Sequence, residues 1–146
     1  MTDEIRVNAS QVVRVVSSSP DVLELESRWD SGGKPPPTHW HPHQAEHFEV
    51  LEGRLTVRVG EDAPRTLDPG DVLDVPPRTP HSMWNAGDVP ARAAWRVAPA
   101  LRTEEMFRYI ERGMSPLRSL GMLFTFRHEF RLGRRGGNDS ERSTGS

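Results

Sequence analysis

The interpretation of this chain rests on residues 39–47, which read His39-Trp40-His41-Pro42-His43-Gln44-Ala45-Glu46-His47. A further histidine, His81, follows the proline-rich run Pro76-Pro77-Arg78-Thr79-Pro80. Five of the six histidines lie between positions 39 and 81, and the chain has no cysteine. Imidazole and carboxylate groups bind first-row transition metals, so three histidines and one carboxylate make a nearly complete set of ligands. The cluster therefore indicates a metal site.

Strand geometry brings several of these side chains to one face. Residues i and i+2 of a strand share a face, so His39 and His41 are expected to point the same way. Glu46 shares its face with the apolar Phe48 and Val50, and we expect it to point toward a core. A buried carboxylate without a partner is costly, and metal coordination is one way to keep it charged. A rolled antiparallel sheet would bring His81 back beside the other three.

The rest of the chain favours short strands. The segments predicted as strands are bounded by turn residues and recur at intervals of about 8–12 residues, which is typical of an all-β barrel or sandwich with eight or nine strands. They are residues 5–16, 22–29, 46–51, 54–59, 66–67, 72–76, 81–84 and 91–97. Residues 31–37 contain three prolines and are predicted to form an extended loop that leads into the histidines.

The pattern changes to a helical one after Pro99. Thr103 is predicted to be the N-cap of a first helix that ends at Gly113, and Ser115 the N-cap of a second helix that begins with Pro116. Apolar residues at helical spacing continue the second helix and predict a packed face: Leu117, Leu120, Leu123, Phe124 and Phe130. Residues 133–146 have no apolar side chains and are expected to be disordered.

Composition limits the classes of function. A chain of 146 residues is expected to form one domain, and its formal net charge of −2 gives no reason to expect binding to nucleic acid or to an anionic membrane. No apolar run approaches the roughly 18 residues of a membrane span. The acidic N-terminal sequence lacks the apolar stretch of a signal peptide, so a cytoplasmic location is expected.

Two linked motifs resemble those of the cupin superfamily. The spacing Gly33-x5-His39-x-His41-x4-Glu46-x6-Gly53 matches the first cupin motif at every fixed position. The second motif is matched by Gly70-x5-Pro76, followed by His81 and, after three residues, Asn85. The short segment between the motifs is similar to that of small single-domain bacterial cupins of the quercetin-dioxygenase-like type. Arg78 departs from the pattern, since glycine usually occupies that position.

The resemblance implies a cupin barrel, a double-stranded β-helix or jelly roll, with a short C-terminal helical extension. Residues 1–99 would form the barrel with its N-terminal strands, residues 100–132 helices packed on the barrel or on a dimer partner, and residues 133–146 the tail. It also implies that His39, His41, Glu46 and His81 hold one divalent transition metal per chain, which could be Fe, Mn, Ni, Zn or Cu. Gly53 and Gly70 would occupy turns that need positive φ.

The resemblance implies a metal-dependent enzyme acting on a small molecule. We expect dioxygenase-type chemistry on an enolic or catecholic substrate, with Glu46 as a metal ligand, a general base or both. A Lewis-acid isomerase, lyase or decarboxylase, a protein that binds a small ligand without catalysis and a structural cupin with incidental metal uptake remain alternatives. A homodimer is expected, because the N-terminal strands offer free sheet edges.

The remaining conspicuous side chains are assigned other places. His43 and His47 are expected to lie outside the metal's ligand set, and Phe48 and Met83 to line the substrate cavity because they share faces with ligand residues. Asn85 is expected to occupy a turn. Three tryptophans are expected in the core: Trp40, Trp84 and Trp95.

Overall fold

The protein, seen in a computed structural model, is described from residue 4 to residue 133 and consists mainly of β-strands. The described residues form eleven strands and two helices: β1 (Glu4–Asn8), β2 (Gln11–Ser18), β3 (Leu23–Trp29), β4 (His39–Trp40), β5 (Ala45–Glu52), β6 (Leu55–Val59), β7 (Arg65–Leu67), β8 (Val72–Val75), β9 (His81–Trp84), β10 (Ala91–Ala98), α1 (Thr103–Glu111), α2 (Pro116–Thr125) and β11 (Arg131–Leu132). The all-β prediction with a short helical extension is therefore confirmed.

The strands form two antiparallel sheets. The larger sheet has the order β1-β2-β3-β10-β5-β8, and the smaller one has the order β11-β4-β9-β6-β7. Along β10, buried residues alternate with more exposed ones, as expected of a strand with one face toward a core. Buried apolar side chains from both sheets and from α1 join in one hydrophobic core, which includes Val50, Val57 and Met106.

The N-terminal segment differs from the prediction. One strand was expected over residues 5–16, but the chain forms the hairpin β1–β2 with a tight turn between Asn8 and Gln11. The Oδ1 atom of Asn8 accepts hydrogen bonds from the amide of Ser10 at 2.9 Å and from its hydroxyl at 3.1 Å. Such local side-chain hydrogen bonds compete with the strand ladder and favour a turn. The hairpin extends the edge of the larger sheet.

The start of α1 also differs from the prediction. The N-cap is Arg102, which makes no side-chain capping bond, and Thr103 is the first helical residue. Thr103 is buried, and its hydroxyl oxygen instead accepts a hydrogen bond from Gln44 Nε2 at 2.8 Å. A tertiary contact has therefore replaced the local cap. The Ser115 cap of α2 is confirmed, since its Oγ accepts a hydrogen bond from the Arg118 amide at 3.2 Å.

Most of the predicted apolar face of α2 is not packed against the rest of the chain, although Leu123 packs against the core. Leu117, Leu120 and Phe124 are 80%, 67% and 71% exposed, and Met122 is the buried residue of the helix. Phe130 lies outside the helix, which ends at Thr125, and packs against the core from the segment that follows. The stripe was misread because helical spacing was extended across a helix end.

Positive φ angles occur at three motif positions, and at one of them the residue is not glycine. Gly53 has φ +72°, and a Cβ there would lie 2.4 Å from the carbonyl oxygen of Pro90. Arg78 has φ +65° although it is not glycine, which costs on the order of 1–2 kcal/mol. Gly70, with φ +92°, also meets the expectation of a positive angle.

The expectations for the C-terminal tail and for membrane-spanning segments can be compared with residues 4–133. Residues 134–146 of the expected disordered tail lie outside the described residues, while the amide of Gly133 donates to the Thr38 carbonyl at 2.7 Å. Within residues 4–133, neither helix has the length and apolar character needed to cross a membrane. The cytoplasmic location and the division of the chain at residue 99 stay predictions.

Candidate metal centre

The structure brings together the four side chains that the motifs single out. His39 belongs to β4, His41 follows that strand, Glu46 lies near the start of β5 and His81 begins β9. One potential ligand atom from each residue lies within 4.8 Å of all the others. Trans ligands of one ion with bonds of about 2.1 Å are about 4.2 Å apart, so the cluster has the size of a single metal site.

Strand pairing explains why residues that are far apart in the sequence meet. β4 lies beside β9, and His39 is directly opposite His81 in that pair. In β5 the buried residues alternate with more exposed ones, so Glu46 shares the inward face with Phe48 and Val50, as predicted. Glu46 is 3% exposed and His81 is 3% exposed, which places both among the buried polar residues.

Backbone carbonyls fix the orientation of two imidazole rings. His41 Nδ1 lies 2.6 Å from the carbonyl oxygen of Glu129, and His81 Nδ1 lies 2.8 Å from that of Thr79. A carbonyl can only accept, so Nδ1 carries the hydrogen in both rings. Each Nε2 of the neutral ring then presents a lone pair to the centre of the cluster, which is the form that binds a metal.

The carboxylate of Glu46 faces these two lone pairs. Its Oε1 atom lies 2.7 Å from His41 Nε2 and 2.9 Å from His81 Nε2. Within residues 4–133, neither Glu46 Oε1 nor His41 Nε2 has a partner with hydrogen-bond geometry, although both atoms are fully buried. Buried acceptors that converge without donors need a positive charge between them. A divalent cation fits that requirement.

The electrostatics of the cluster also favour a cation. Burial and the neighbouring His81 and His41 lower the pKa of His39 to about 3, which keeps this ring neutral and able to donate a lone pair. Burial alone would raise the pKa of Glu46, but His41 and His81 hold it well below its usual range. Burial disfavours protonation of His41, yet Glu46 outweighs that effect and raises the pKa of His41. The charge of Glu46 therefore favours a positive charge beside it, either a proton on His41 or a metal cation that replaces that proton.

Trp95 belongs to the core, as expected, and is also part of this site. Its Nε1–H donates a 2.7 Å hydrogen bond to Glu46 Oε2, the carboxylate oxygen that does not face the histidines. The residue comes from β10, where Trp95 is paired with Phe48 and Val97 with Glu46. A buried indole N–H needs an acceptor, but only the register of β5 and β10 shows which one it finds.

A cavity of about 300 Å³ adjoins the four side chains. Phe48 and Met83 line it, as expected from the faces they share with the ligand residues. The opposite wall comes from the C-terminal extension, which contributes Met106 and Phe107 from α1 and Met122 from α2. The helices thus form part of the cavity wall.

The segment after α2, residues 126–133, is here called the C-terminal strap. The Phe130 ring stacks on His39 with ring centroids 5.1 Å apart and an angle of 30° between the planes. β11 pairs with β4, so that Leu132 lies opposite His39 in the register. Together with the Glu129 carbonyl on His41, these contacts make the strap the outer support of two candidate ligands.

The other histidines lie outside the cluster, as predicted. His43 is exposed and its ring stacks on that of His128, with centroids 5.9 Å apart. His47 points away from Glu46, and its Nδ1 lies 2.6 Å from Asp74 Oδ1. Asn85 organises a turn, as expected, because its Nδ2 donates to the Val89 carbonyl at 2.7 Å and its Oδ1 accepts from the Gly87 amide at 3.0 Å.

Comparison with known proteins gives a consistent family assignment. Residues 26–97 match the model of the family described as "Cupin domain". The chain is 51% identical over 53 residues to "Probable oxidoreductase yanE" of Aspergillus niger, a match that covers 36% of this chain and 20% of that protein. It is 32% identical over 68 residues to "Tetracenomycin polyketide synthase protein TcmJ" of Streptomyces glaucescens, covering 47% of this chain and 45% of that protein.

The fold agrees with that of a solved cupin structure. An RmlC-like cupin from Shewanella frigidimarina superposes with a TM-score of 0.62 at 18% identity, covering 70% of this chain and 88% of the other. At this identity the likeness concerns the fold alone. The chain spans about a fifth of the length of the Aspergillus relative and under half of the Streptomyces one.

Proposed function

Because the chain belongs to the cupin superfamily, we propose that it is a metal-dependent oxidoreductase that acts on a small enolic or catecholic molecule by dioxygenase-type chemistry. The observation that carries the proposal is the convergence of His39, His41, Glu46 and His81 on one buried point beside a mainly apolar cavity. Relatives named as oxidoreductases support the reaction class.

In this proposal three imidazole nitrogens and Oε1 of Glu46 hold one divalent first-row ion per chain. Such an ion, when bound, supplies Lewis acidity and, if it is redox-active, a centre for electron transfer to the oxidant. Imidazole and carboxylate together suit iron, manganese, nickel, copper and zinc, so the ligand set does not choose among them. Reconstitution with single metals would identify the ion.

Glu46 is the proposed catalytic residue. Among the described residues that line the cavity it is the one carboxylate, so its Oε1 is the atom able to accept the proton of a substrate hydroxyl when that atom detaches from the metal. Trp95 holds its Oε2 atom, which leaves Oε1 for the metal and keeps the carboxylate in one orientation. The aromatic and sulfur-containing walls, Phe48 and Met83 among them, would exclude water and orient the substrate over the metal.

The relative named as a polyketide synthase protein supports the substrate class. Polyketides carry enolic and phenolic oxygens, and oxygens of this kind are the ones that would bind beside the four ligands. Its 32% identity over about half of this chain makes that relative a guide to chemistry and not to a particular compound.

The test is reconstitution of the metal-free protein with Fe(II), Mn(II), Ni(II), Cu(II) or Zn(II), followed by oxygen uptake and product mass on a panel of enols and catechols. Oxygen uptake with a redox-active metal and a mass gain in the product would support the proposal. Turnover with zinc and without oxygen uptake would replace it with a Lewis-acid isomerase, lyase or decarboxylase. Tight binding without turnover for every metal would replace it with a ligand-binding protein.

We also expect a homodimer. The exposed apolar side chains of α2, Leu117, Leu120 and Phe124, and the free edge of β1 are surfaces that a second copy would cover. Light scattering coupled to size-exclusion chromatography measures the mass directly. A species of about twice 16.5 kDa is expected, and a single 16.5 kDa species would refute the dimer.

A further inference from the structure

The cavity beside the four candidate ligands has uncharged walls, which restricts the charge of a substrate that it can bind. Apart from those four residues, no ionisable side chain lines it within residues 4–133. A substrate carboxylate or phosphate is normally held by arginine or lysine, since burial of an unpaired anion is very costly. The described walls offer no such cation.

The few polar side chains on the walls already have partners. Thr103 Oγ1 accepts from Gln44 at 2.8 Å, and the indole N–H of Trp95 donates to Glu46. Asn8 donates to Gln11 at 3.3 Å, and Gln11 donates in turn to Ser27 at 2.8 Å. The walls therefore leave the metal as the main polar anchor of a bound molecule.

The charge count at the metal leads to the same restriction. A divalent ion held by three imidazoles and one carboxylate would have a net charge of +1, because an imidazole that gives a nitrogen lone pair to a metal is neutral. One ionised hydroxyl of the substrate neutralises that charge. A second anionic group would be buried without compensation.

The volume of the cavity and the side chains on its walls indicate the size and the chemistry of the substrate's ring system. An engineered apolar cavity of about 150 Å³ binds benzene, so a cavity of about 300 Å³ admits a body of about two fused rings. Three phenylalanines and three methionines face it, and both side chains make favourable contacts with aromatic rings. They are Phe48, Phe107, Phe130, Met83, Met106 and Met122.

We infer that the cavity takes an uncharged, hydroxylated aromatic molecule of about two fused rings and excludes analogues that carry a second anionic group. The inference rests on the proposed function, because a metal ion is the anchor for the substrate oxygen. It goes further, because it states which enols and catechols bind and which do not.

A matched pair of probes tests it: 2,3-dihydroxynaphthalene and its 6-sulfonate, which differ in one anionic group. Each is titrated calorimetrically without oxygen into zinc-loaded protein whose metal content has been measured. The sulfonate is expected to bind on the order of a hundredfold more weakly or not at all. Equal affinities, or no binding of the neutral diol to fully loaded protein, would overturn the inference while leaving the metal site standing. Failure to load with metal would instead overturn the proposed function.

Leu132→Arg provides the converse test. Leu132 lines the cavity yet is 47% exposed, so an arginine there can reach the cavity without being buried. The sulfonate should gain about tenfold in affinity, as expected of a hydrogen bond to a charged group. The matched control is Leu117→Arg, since Leu117 is 80% exposed and does not line the cavity. An equal gain in both variants would overturn the inference.

Discussion

The barrel and the C-terminal strap contribute to the metal centre in different ways. The barrel supplies all four candidate ligands, three of them within the eight residues 39–46. The strap supplies none, but its Glu129 carbonyl orients His41 and its Phe130 ring covers His39. The difference shows that three of the four candidate ligands lie close together in the sequence, whereas His81 and the groups that hold the ligands in place come from distant segments.

The two regions also differ in polarity. On the barrel side, buried nitrogen and oxygen atoms converge without donors between them. On the side of the helices and strap, the cavity is lined almost entirely by apolar side chains such as Met106, Phe107 and Met122. The candidate ligands thus come from the barrel alone, whereas the apolar walls of the cavity come from both parts of the chain. The substitutions below test that division in order of decreasing expected effect.

Removal of a ligand should have the largest effect. His41→Ala deletes one of the four candidate ligands, whose Nε2 lies 2.7 Å from Glu46 Oε1, so metal affinity should fall by more than about 100-fold. The control, His43→Ala, removes an exposed histidine two residues away and should leave affinity unchanged. Competition with a chromophoric chelator gives both dissociation constants. Full metal occupancy in His41→Ala would contradict the assignment of the candidate ligands in the barrel.

Loss of the Trp95 hydrogen bond should come next. Trp95→Phe keeps an aromatic ring but frees Glu46 Oε2, and loss of such a support typically weakens metal binding about 10–100-fold. Trp84→Phe is the matched control, since Trp84 is buried but does not line the cavity. The same chelator competition applies. Equal affinities in the two variants would show that Trp95 acts only through packing.

Truncation of the strap's aromatic side chain should have a smaller effect. Phe130→Ala removes the ring stacked on His39 but leaves the Glu129 carbonyl in place, so metal affinity should fall by up to about tenfold. Phe124→Ala, at a 71% exposed position on α2, should have no effect on affinity. Metal affinity equal to that of the unsubstituted protein in Phe130→Ala would limit the strap to a covering role.

The smallest effects concern backbone strain, which both regions contain. Arg78 in the barrel and Leu101 in the C-terminal extension have φ of +65° and +46°. Replacement of either by glycine should raise the free energy of unfolding by about 0.5–1 kcal/mol, because relief of strain exceeds the added entropy of the unfolded chain. Arg78→Ala, which retains the strain, should give no such gain. Urea denaturation measures all three, and destabilisation by Arg78→Gly would show that the arginine side chain stabilises its turn.

The sequence alone identified the barrel's contribution because its signals are local. Alternation placed Glu46 on the same face as Phe48, and motif spacing selected His39, His41 and His81 over His43 and His47. Each of these inferences needs only the two-residue repeat of a strand or a fixed spacing. The predicted set of four is the set that converges in the structure.

The remaining parts of the site depend on contacts that no local pattern specifies. The hydrogen bond from His41 to Glu129 joins residues 88 positions apart, and the one from Trp95 to Glu46 depends on the register between two strands. The sequence predicted Thr103 as a helix cap, but its hydroxyl oxygen accepts a hydrogen bond from Gln44 instead. Apolar residues at helical spacing continue from Leu117 to Phe130 past the end of α2. The spacing therefore predicted a continued helix where the strap begins.

The central claim is that one metal ion binds at the point where His39, His41, Glu46 and His81 converge. Crystals of cobalt-loaded protein, measured on both sides of the cobalt absorption edge, test it most directly. The account predicts a single anomalous peak per chain, about 2.0–2.2 Å from one nitrogen of each histidine and from Oε1 of Glu46, with Oε2 still bonded to Trp95. A peak bound elsewhere, or a cluster with no peak in fully loaded protein, would contradict it.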